Sequence, residues 1–288
     1  MFYILDWSGY LFRSYYALPE LKNKNWEDVS VVFWFFRMLL KILHDKPDKF
    51  VIAWDSKTKT FRHEQFEQYK ANRPKMPNEF KNQVQTIQDI VQRLQIPFLI
   101  ANWYEADDII YTIVKNYDWK ISIVSSDKDL KQLLSEKVVF LDPVKQQTRT
   151  YQDFQQQMWF SCPNIVDYLA LVWDSSDNIP WVKWIGQKTA SDLIQKYWNI
   201  ENIYENIDDF SWALKQKLIE GKDLALKSKS LVQLASVPDI STKDIWKISI
   251  DFERLKNILV DEFGFKSMEK SINDLKKSYN SAKQASLF

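Results

Sequence analysis

Nine carboxylates stand where catalysis could use them. Glu105, Asp107 and Asp108 crowd one turn; Asp127 pairs with Asp129 and Asp174 with Asp177, while Asp6 and Asp55 stand alone. Like charges packed this closely repel unless a cation compensates. A lone acidic triplet reads equally well as a cluster favoured by a helix N-terminus, but the second and third sets weaken that reading. The chain holds 2 His and 1 Cys, so no nitrogen or sulfur cluster accompanies the acids. Hard oxygen ligands select Mg²⁺, with Mn²⁺ able to substitute, over zinc. Two such ions suit phosphodiester cleavage, one activating water and the other stabilising the leaving oxygen.

The elements that must position these acids are legible around them. Three apolar runs end in an acid: Phe2 to Leu5 before Asp6, Phe50 to Trp54 before Asp55, and Ile121 to Ser126 before Asp127. Helical patterns lie between them at Val29 to Leu43, Phe80 to Leu94 and Ala106 to Lys115. Strand, helix, strand at these lengths implies βαβ units and a parallel sheet. Ligands of such sheets bind beyond the carboxyl ends of the strands, so three acids at three strand tips converge on one place.

Residues 56–80 interleave Lys57, Lys59, Arg62, Lys70, Arg73 and Lys75 with Phe61, Phe66, Tyr69 and Phe80. A basic and aromatic excursion after a strand-tip acid suits a phosphate-contacting loop or arch; a solvated surface segment is the competing reading. From Cys162 the pattern turns helical, with helices expected at Asn164 to Val172 and Thr189 to Tyr197 around a hairpin at Ile179 to Gly186. Smaller helices are expected over 199–262, and a polar, fraying tail after Phe265.

With 288 residues and 34.5 kDa, the chain can bury a full core. The single cysteine, Cys162, excludes an internal disulfide framework and fits a reducing compartment. Met1 leads straight into a strand-like run with no basic leader. The most apolar stretch carries Arg37 and Lys41, so it reads as a buried helix rather than a membrane span. A cytoplasmic monomer is therefore expected. The net charge of +1 hides an uneven distribution: setting aside the nine candidate acids leaves 39 basic against 29 acidic residues, enough for a basic surface around an acidic pocket.

A set of ordered motifs resembles the 5′ nuclease of DNA polymerase I and the flap endonucleases. They are Ile4-Leu-Asp6, Phe61-Arg-His-Glu64, Tyr69-Lys-Ala-Asn-Arg73, Tyr104-Glu-Ala-Asp-Asp108, Ser126-Asp-Lys-Asp-Leu130, Asp174-Ser-Ser-Asp-Asn-Ile-Pro180 and Ile185-Gly-Gln-Lys-Thr-Ala190. The resemblance implies an α/β fold: a parallel-sheet, PIN-like nuclease core over 1–160 with a helical arch at about 56–95. A helical subdomain with a helix-hairpin-helix over 161–265 and a polar tail over 266–288 would follow. It implies a structure-specific 5′-3′ exonuclease and 5′-flap endonuclease, in which all nine acids bind two Mg²⁺ ions directly or through water. Lys70 and Arg73, with Arg62 in or under the arch, would act on the scissile phosphate, and Arg13 is a weaker candidate for that role. The hairpin, through Trp181, Lys183, Trp184, Gly186, Lys188 and Thr189, would hold duplex phosphates without reading sequence, often with a bound K⁺. Plain surface charge is the competing reading for Lys183 and Lys188. The substrates implied are DNA with a 5′ flap, a nick or branch, or an RNA primer end. A non-catalytic DNA-structure binder that kept the fold is the alternative.

Two features depart from ordinary pattern. The chain has 4 Gly and 13 Trp, where average usage gives roughly 20 Gly. The family favours Gly at the positions of Trp7, Trp26, Trp34, Trp103, Trp159, Trp173, Trp181, Trp184 and Trp198. A Trp in a turn that needs positive φ costs strain and blocks close approach. Such a pattern is expected if UGA codons meaning Gly have been read as Trp; Trp54, before Asp55, fits a buried strand as an aromatic. Lastly, Gln284-Ala-Ser-Leu287-Phe288 resembles the peptide by which bacterial replication proteins dock on the sliding clamp, Leu287 and Phe288 filling an apolar pocket and Gln284 bonding at its edge.

Overall fold

The computed structural model describes residues 1–143, 145–172, 177–179, 182–240 and 248–285. Its order is β1 Phe2–Asp6, α1 Trp7–Ala17, α2 Ser30–His44, β2 Lys49–Trp54, α3 Phe61–Gln65, α4 Asn78–Arg93, β3 Phe98–Ile100, α5 Ala106–Asn116, β4 Ile121–Val124, β5 Val138–Asp142 and β6 Gln147–Arg149. The helices α6 Tyr151–Met158, α7 Ile165–Leu171, α8 Gln187–Tyr197, α9 Ile200–Glu205, α10 Trp212–Val232, α11 Phe252–Lys256 and α12 Glu269–Ala285 follow.

Six strands form one sheet in the order β3-β2-β1-β4-β5-β6, parallel except for the antiparallel edge strand β6. β1 and β4 are buried from end to end apart from Tyr3, as parallel strands covered on both faces must be. Asp6 sits level with Ala53, and Leu5 with Val124. The tips of β1, β2 and β4 are therefore flush, and the chain order switches between β1 and β4. That is the crevice position at which α/β sheets bind ligands.

The expected arch at 56–95 is two different things. Residues 61–65 form one short helix, and residues 66–73 turn back towards the strand tips. α4 is a core helix: Phe80, Gln83, Ile87, Ile90 and Val91 are buried on its inner face against α2. Gln83 ties that contact, accepting from Val31 N at 2.8 Å and donating to Asp28 Oδ2 at 2.9 Å. The apolar spacing at i, i+7, i+10 and i+11 made this segment structural; its two basic residues, Lys81 and Arg93, are exposed on the outer face.

Two expectations about the second half fail. Residues 212–232 form one 21-residue helix rather than small pieces. Residues 269–285 form a helix rather than a fraying tail, because Ile272 and Leu275 are buried, with Tyr279 behind them, against α2 and α11. Gly221 lets α10 pack tightly: a Cβ there would lie 2.5 Å from Val182 Cγ1, inside the hairpin.

Trp26, Trp103, Trp159, Trp184 and Trp198 have φ of 64°, 73°, 63°, 68° and 74°. Trp159 and Trp198 stand at the C-caps of α6 and α8, a place for glycine. All five are exposed, Trp26 and Trp184 by 81% and 80%, so no packing offsets the strain. Trp7 and Trp34 differ. They sit within helices, Trp7 stacked on Trp54 at 4.4 Å, and their backbones make no demand for glycine. Trp173 and Trp181 lie outside the described residues.

Each left-handed Trp costs about 1–2 kcal/mol. Replacing Trp26, Trp159 or Trp184 singly by Gly is expected to raise the melting temperature by about 2–4 °C per kcal/mol gained. Trp54→Ala, by contrast, is expected to lose about 3–5 kcal/mol. UGG codons at all five positive-φ positions would remove the codon explanation while leaving the strain.

Candidate active site

Each acid at the crevice is placed by local structure. Asp6 ends β1 and caps α1, its Oδ1 accepting from Ser8 N and Ser8 Oγ at 3.1 Å each; Oδ2 accepts from Ser125 Oγ at 2.7 Å. Ser125 Oγ in turn accepts from Asp127 N at 2.9 Å, so one hydroxyl sets two acids. Asp127 Oδ1 accepts from Asp129 N at 2.8 Å, where the 3-10 helix Asp129–Leu133 begins. Asp55 Oδ1 accepts from Ala106 N at 2.8 Å, capping the start of α5 from across the sheet. Glu105 is the N-cap of α5 and Asp107 lies in its first turn.

Burial pushes the Asp6 carboxyl up to about 6, and the charges of Asp127 and Asp55 add to the rise. Burial also raises Asp107 well above the carboxylate range, with Asp127, Asp6 and Asp55 all contributing, and it raises Asp127 and Asp55. Among the described residues no three acids close to the spacing of a single ion's ligand set. The donor set nonetheless fits hard divalent ions: it is all oxygen and mutually repelling, with Asp6 buried and Asp55, Asp107 and Asp127 half-buried.

The counter-charge within the pocket comes from the 66–73 turn. Lys70 Nζ donates to Glu105 Oε1 at 2.7 Å and lies 3.9 Å from Asp177 Oδ2, and Arg73 pairs with Asp177 Oδ1. Burial works against the Lys70 charge, but Glu105 and Asp177 outweigh it and raise its pKa. Burial likewise opposes the Glu105 charge, yet Lys70 and Arg62 hold that carboxyl below its usual value. Lys70 adopts φ 56°, and its N–H donates to Asp177 O at 2.9 Å. Tyr69, not foreseen as a site residue, donates to Glu105 Oε2 at 3.1 Å and lies 3.4 Å from Asp177 Oδ2. Ser125 was also missed, since a serine between a strand and Asp127 carries no distinguishing signal.

Two expected site residues face elsewhere. Asp108 is fully buried on the inner face of α5 and Arg62 is 2% exposed. They form a bidentate pair at 2.7 and 2.8 Å. Arg62 also donates Nε to Leu231 O at 2.8 Å and Nη2 to Gln233 O, while Asp108 Oδ1 accepts from Ala235 N at 2.9 Å. With these partners satisfied inside the protein, Asp108 is no metal ligand and Arg62 no phosphate contact in this structure. Asp174 and the Arg13 side chain lie outside the described set. Of the hairpin residues, Lys183, Trp184, Gly186 and Lys188 are exposed and Thr189 is half-buried at the start of α8, held by buried Val182 and Ile185.

Truncating either member of the buried pair strands the other charge. Arg62→Ala or Asp108→Ala is expected to cost about 3–5 kcal/mol in urea unfolding. The acid pocket predicts a pH effect. The Asp6 carboxyl is raised above its unfolded value near 4, so the folded chain holds a proton that the unfolded chain releases. Stability of the metal-free protein therefore falls as pH rises from about 4 to about 6. Urea midpoints should show that decline, Mg²⁺ at pH 7 should reverse it, and Asp6→Asn should flatten it.

Residues 1–159 match the 5′-3′ exonuclease N-terminal resolvase-like domain, and residues 161–251 match the 5′-3′ exonuclease C-terminal SAM fold. The 5′-3′ exonuclease of Aquifex aeolicus is 34% identical over 99% of this chain and 99% of its own length. DNA polymerase I of Caldicellulosiruptor bescii is also 34% identical, over 93% of this chain but 33% of its own length, so the chain spans about a third of that relative. Among solved structures, a bacteriophage T5 5′-exonuclease with divalent metal ions bound superposes with a TM-score of 0.64 at 19% identity, covering 96% of this chain and 98% of that one. Flap endonuclease-1 from Methanococcus jannaschii superposes with a TM-score of 0.62 at 16% identity, over 97% and 93%. The sheet-bearing first half and the helical second half thus belong to a shared architecture, and the chain is a member of the 5′-3′ exonuclease family.

Proposed function

We propose that the protein is a Mg²⁺-dependent nuclease that removes 5′ flaps and 5′-terminal nucleotides from branched, nicked or primer-bearing DNA. One observation carries the reading: Asp6, Asp55, Asp107 and Asp127 share one mutually repelling pocket with Lys70 and Arg73 at its side. Relatives support the substrate, since the T5 flap endonuclease and the Rad2 catalytic core were each solved in complex with DNA.

Asp6, Asp55, Asp107 and Asp127 would hold divalent metal, which would supply water activation and stabilisation of the leaving oxygen. The chain's own residues do the rest. Ser125 and Ser8 hold Asp6 in one orientation, and the Ala106 N–H holds Asp55. Lys70 and Arg73, long cations on a turn, reach the crevice from one side and neutralise phosphate charge as it builds. The exposed hairpin and the N-terminus of α8 present backbone N–H groups, Lys183 and Lys188 to duplex phosphates, with K⁺ at the hairpin part of the proposal. Docking on a sliding clamp rests on the sequence of residues 284–288; the side chain of Gln284, and Leu287 and Phe288 altogether, lie outside the described set. A clamp-binding assay unaffected by Leu287→Ala with Phe288→Ala would remove that part.

The deciding experiment is cleavage of a labelled 5′-flap duplex in Mg²⁺. Cutting near the junction is expected, with Asp107→Asn inactive. Lys70→Ala should lower kcat by about 10²–10³. A folded protein that binds the flap and cuts nothing, even with Gly at the positive-φ Trp positions, would instead be a non-catalytic DNA-structure binder.

A further inference from the structure

A cleft of about 790 Å³ opens beside the acid pocket and shares Ser125, Ser126 and Asp127 with it. Its size is that of a small-ligand site. Lys131 reaches it from the 3-10 helix after β4, and Lys145 and Arg149 from the β5–β6 hairpin. None of the three has a salt-bridge partner among the described residues. The two other carboxylates in the lining are engaged: Asp142 Oδ1 accepts from Lys145 N at 3.0 Å, and Asp153 accepts from Thr150 N and Oγ1 at 2.8 Å each, capping α6. Leu134, Phe140 and Phe154 supply an apolar floor.

Cations over an apolar floor suit an unpaired nucleotide, with phosphate on the basic side chains and a base against the apolar surface. A duplex does not seat in the cleft, because its stacked bases cannot turn onto the apolar floor and its contacts run to phosphates on the outer surface. We propose that this cleft binds a single-stranded nucleotide next to the scissile position, with Lys131, Lys145 and Arg149 holding its phosphate. The assignment rests on the nuclease reading above and goes beyond it by giving the β5–β6 hairpin a role in seating the strand.

The test is binding without metal, so that it stands apart from catalysis. In EDTA, fluorescence anisotropy of labelled oligo-dT is measured against salt for the full chain, Arg149→Ala, Lys145→Ala and the pair. The expected result is an affinity loss of about tenfold for the pair and a salt slope shallower by about 0.7 for each cation removed. Arg149→Lys should retain the slope, and a blunt duplex should bind all variants alike. Competition by thymidine 5′-monophosphate in the wild type, lost in the variants, would identify the free nucleotide as the occupant; loss for the oligonucleotide alone would identify the strand. Unchanged oligo-dT binding in variants with wild-type melting temperatures would overturn the proposal, as would equal weakening for blunt duplex. If the wild type binds oligo-dT through these residues but cuts no flap, the nuclease reading fails and the cleft stands.

Discussion

The buried Arg62–Asp108 pair sets the geometry of everything around it. An isolated charge in that position would be prohibitively costly, and a pair is tolerated only when every donor and acceptor finds a partner. Here Arg62 also reaches the carbonyls of Leu231 and Gln233, and Asp108 reaches the N–H of Ala235. Three elements distant in sequence thereby meet: α3 at the base of the basic turn, α5 carrying the pocket acids, and the end of α10 from the helical half. Neither half can shift against the other without exposing an unsatisfied charge, which makes the pair a clamp on position more than a source of stability.

On that frame the crevice holds charge in tension. The carboxylates at the strand tips raise one another's pKa, while Lys70 and Arg73 pull in the opposite direction from the 66–73 turn. Tyr69 bridges the two systems by bonding Glu105 beside Asp177. A site of this kind is stored electrostatic strain, tolerated because flanking hydrogen bonds fix each acid, and it is relieved by added positive charge.

Much of this was readable in the residues. Acids after apolar runs gave the strand tips, and the parallel sheet followed from helix spacing. What could not be read was which acid of Glu105-Ala-Asp107-Asp108 faces the crevice. The reciprocal capping of Glu105 and Asp108 puts those two on one side of α5 and sends Asp108 inward. Its partner lies 46 residues earlier, in a segment whose composition suggested surface. The last helix was missed for a similar reason: Lys and Ser dominate its composition, while Ile272, Leu275 and Tyr279 at i, i+3 and i+7 hold its place. The tryptophans are the opposite case: five of the nine positions marked by an anomaly of counting, Trp26, Trp103, Trp159, Trp184 and Trp198, have left-handed backbone angles, while Trp7 and Trp34 do not.

The close seat of Val182 on Gly221 has a metric consequence. Midway along α10, Gly221 seats on the hairpin, and the C-terminal end of the helix is bonded to Arg62 beneath the basic turn. From Gly221 to Leu231 is ten residues, about 15 Å of helix at 1.5 Å per residue. A rod of fixed length therefore separates the hairpin from the basic turn beside the acid pocket. Under the function proposed above, that rod sets the distance from a cut to a junction, and one turn added between Gly221 and Leu231 moves the mark.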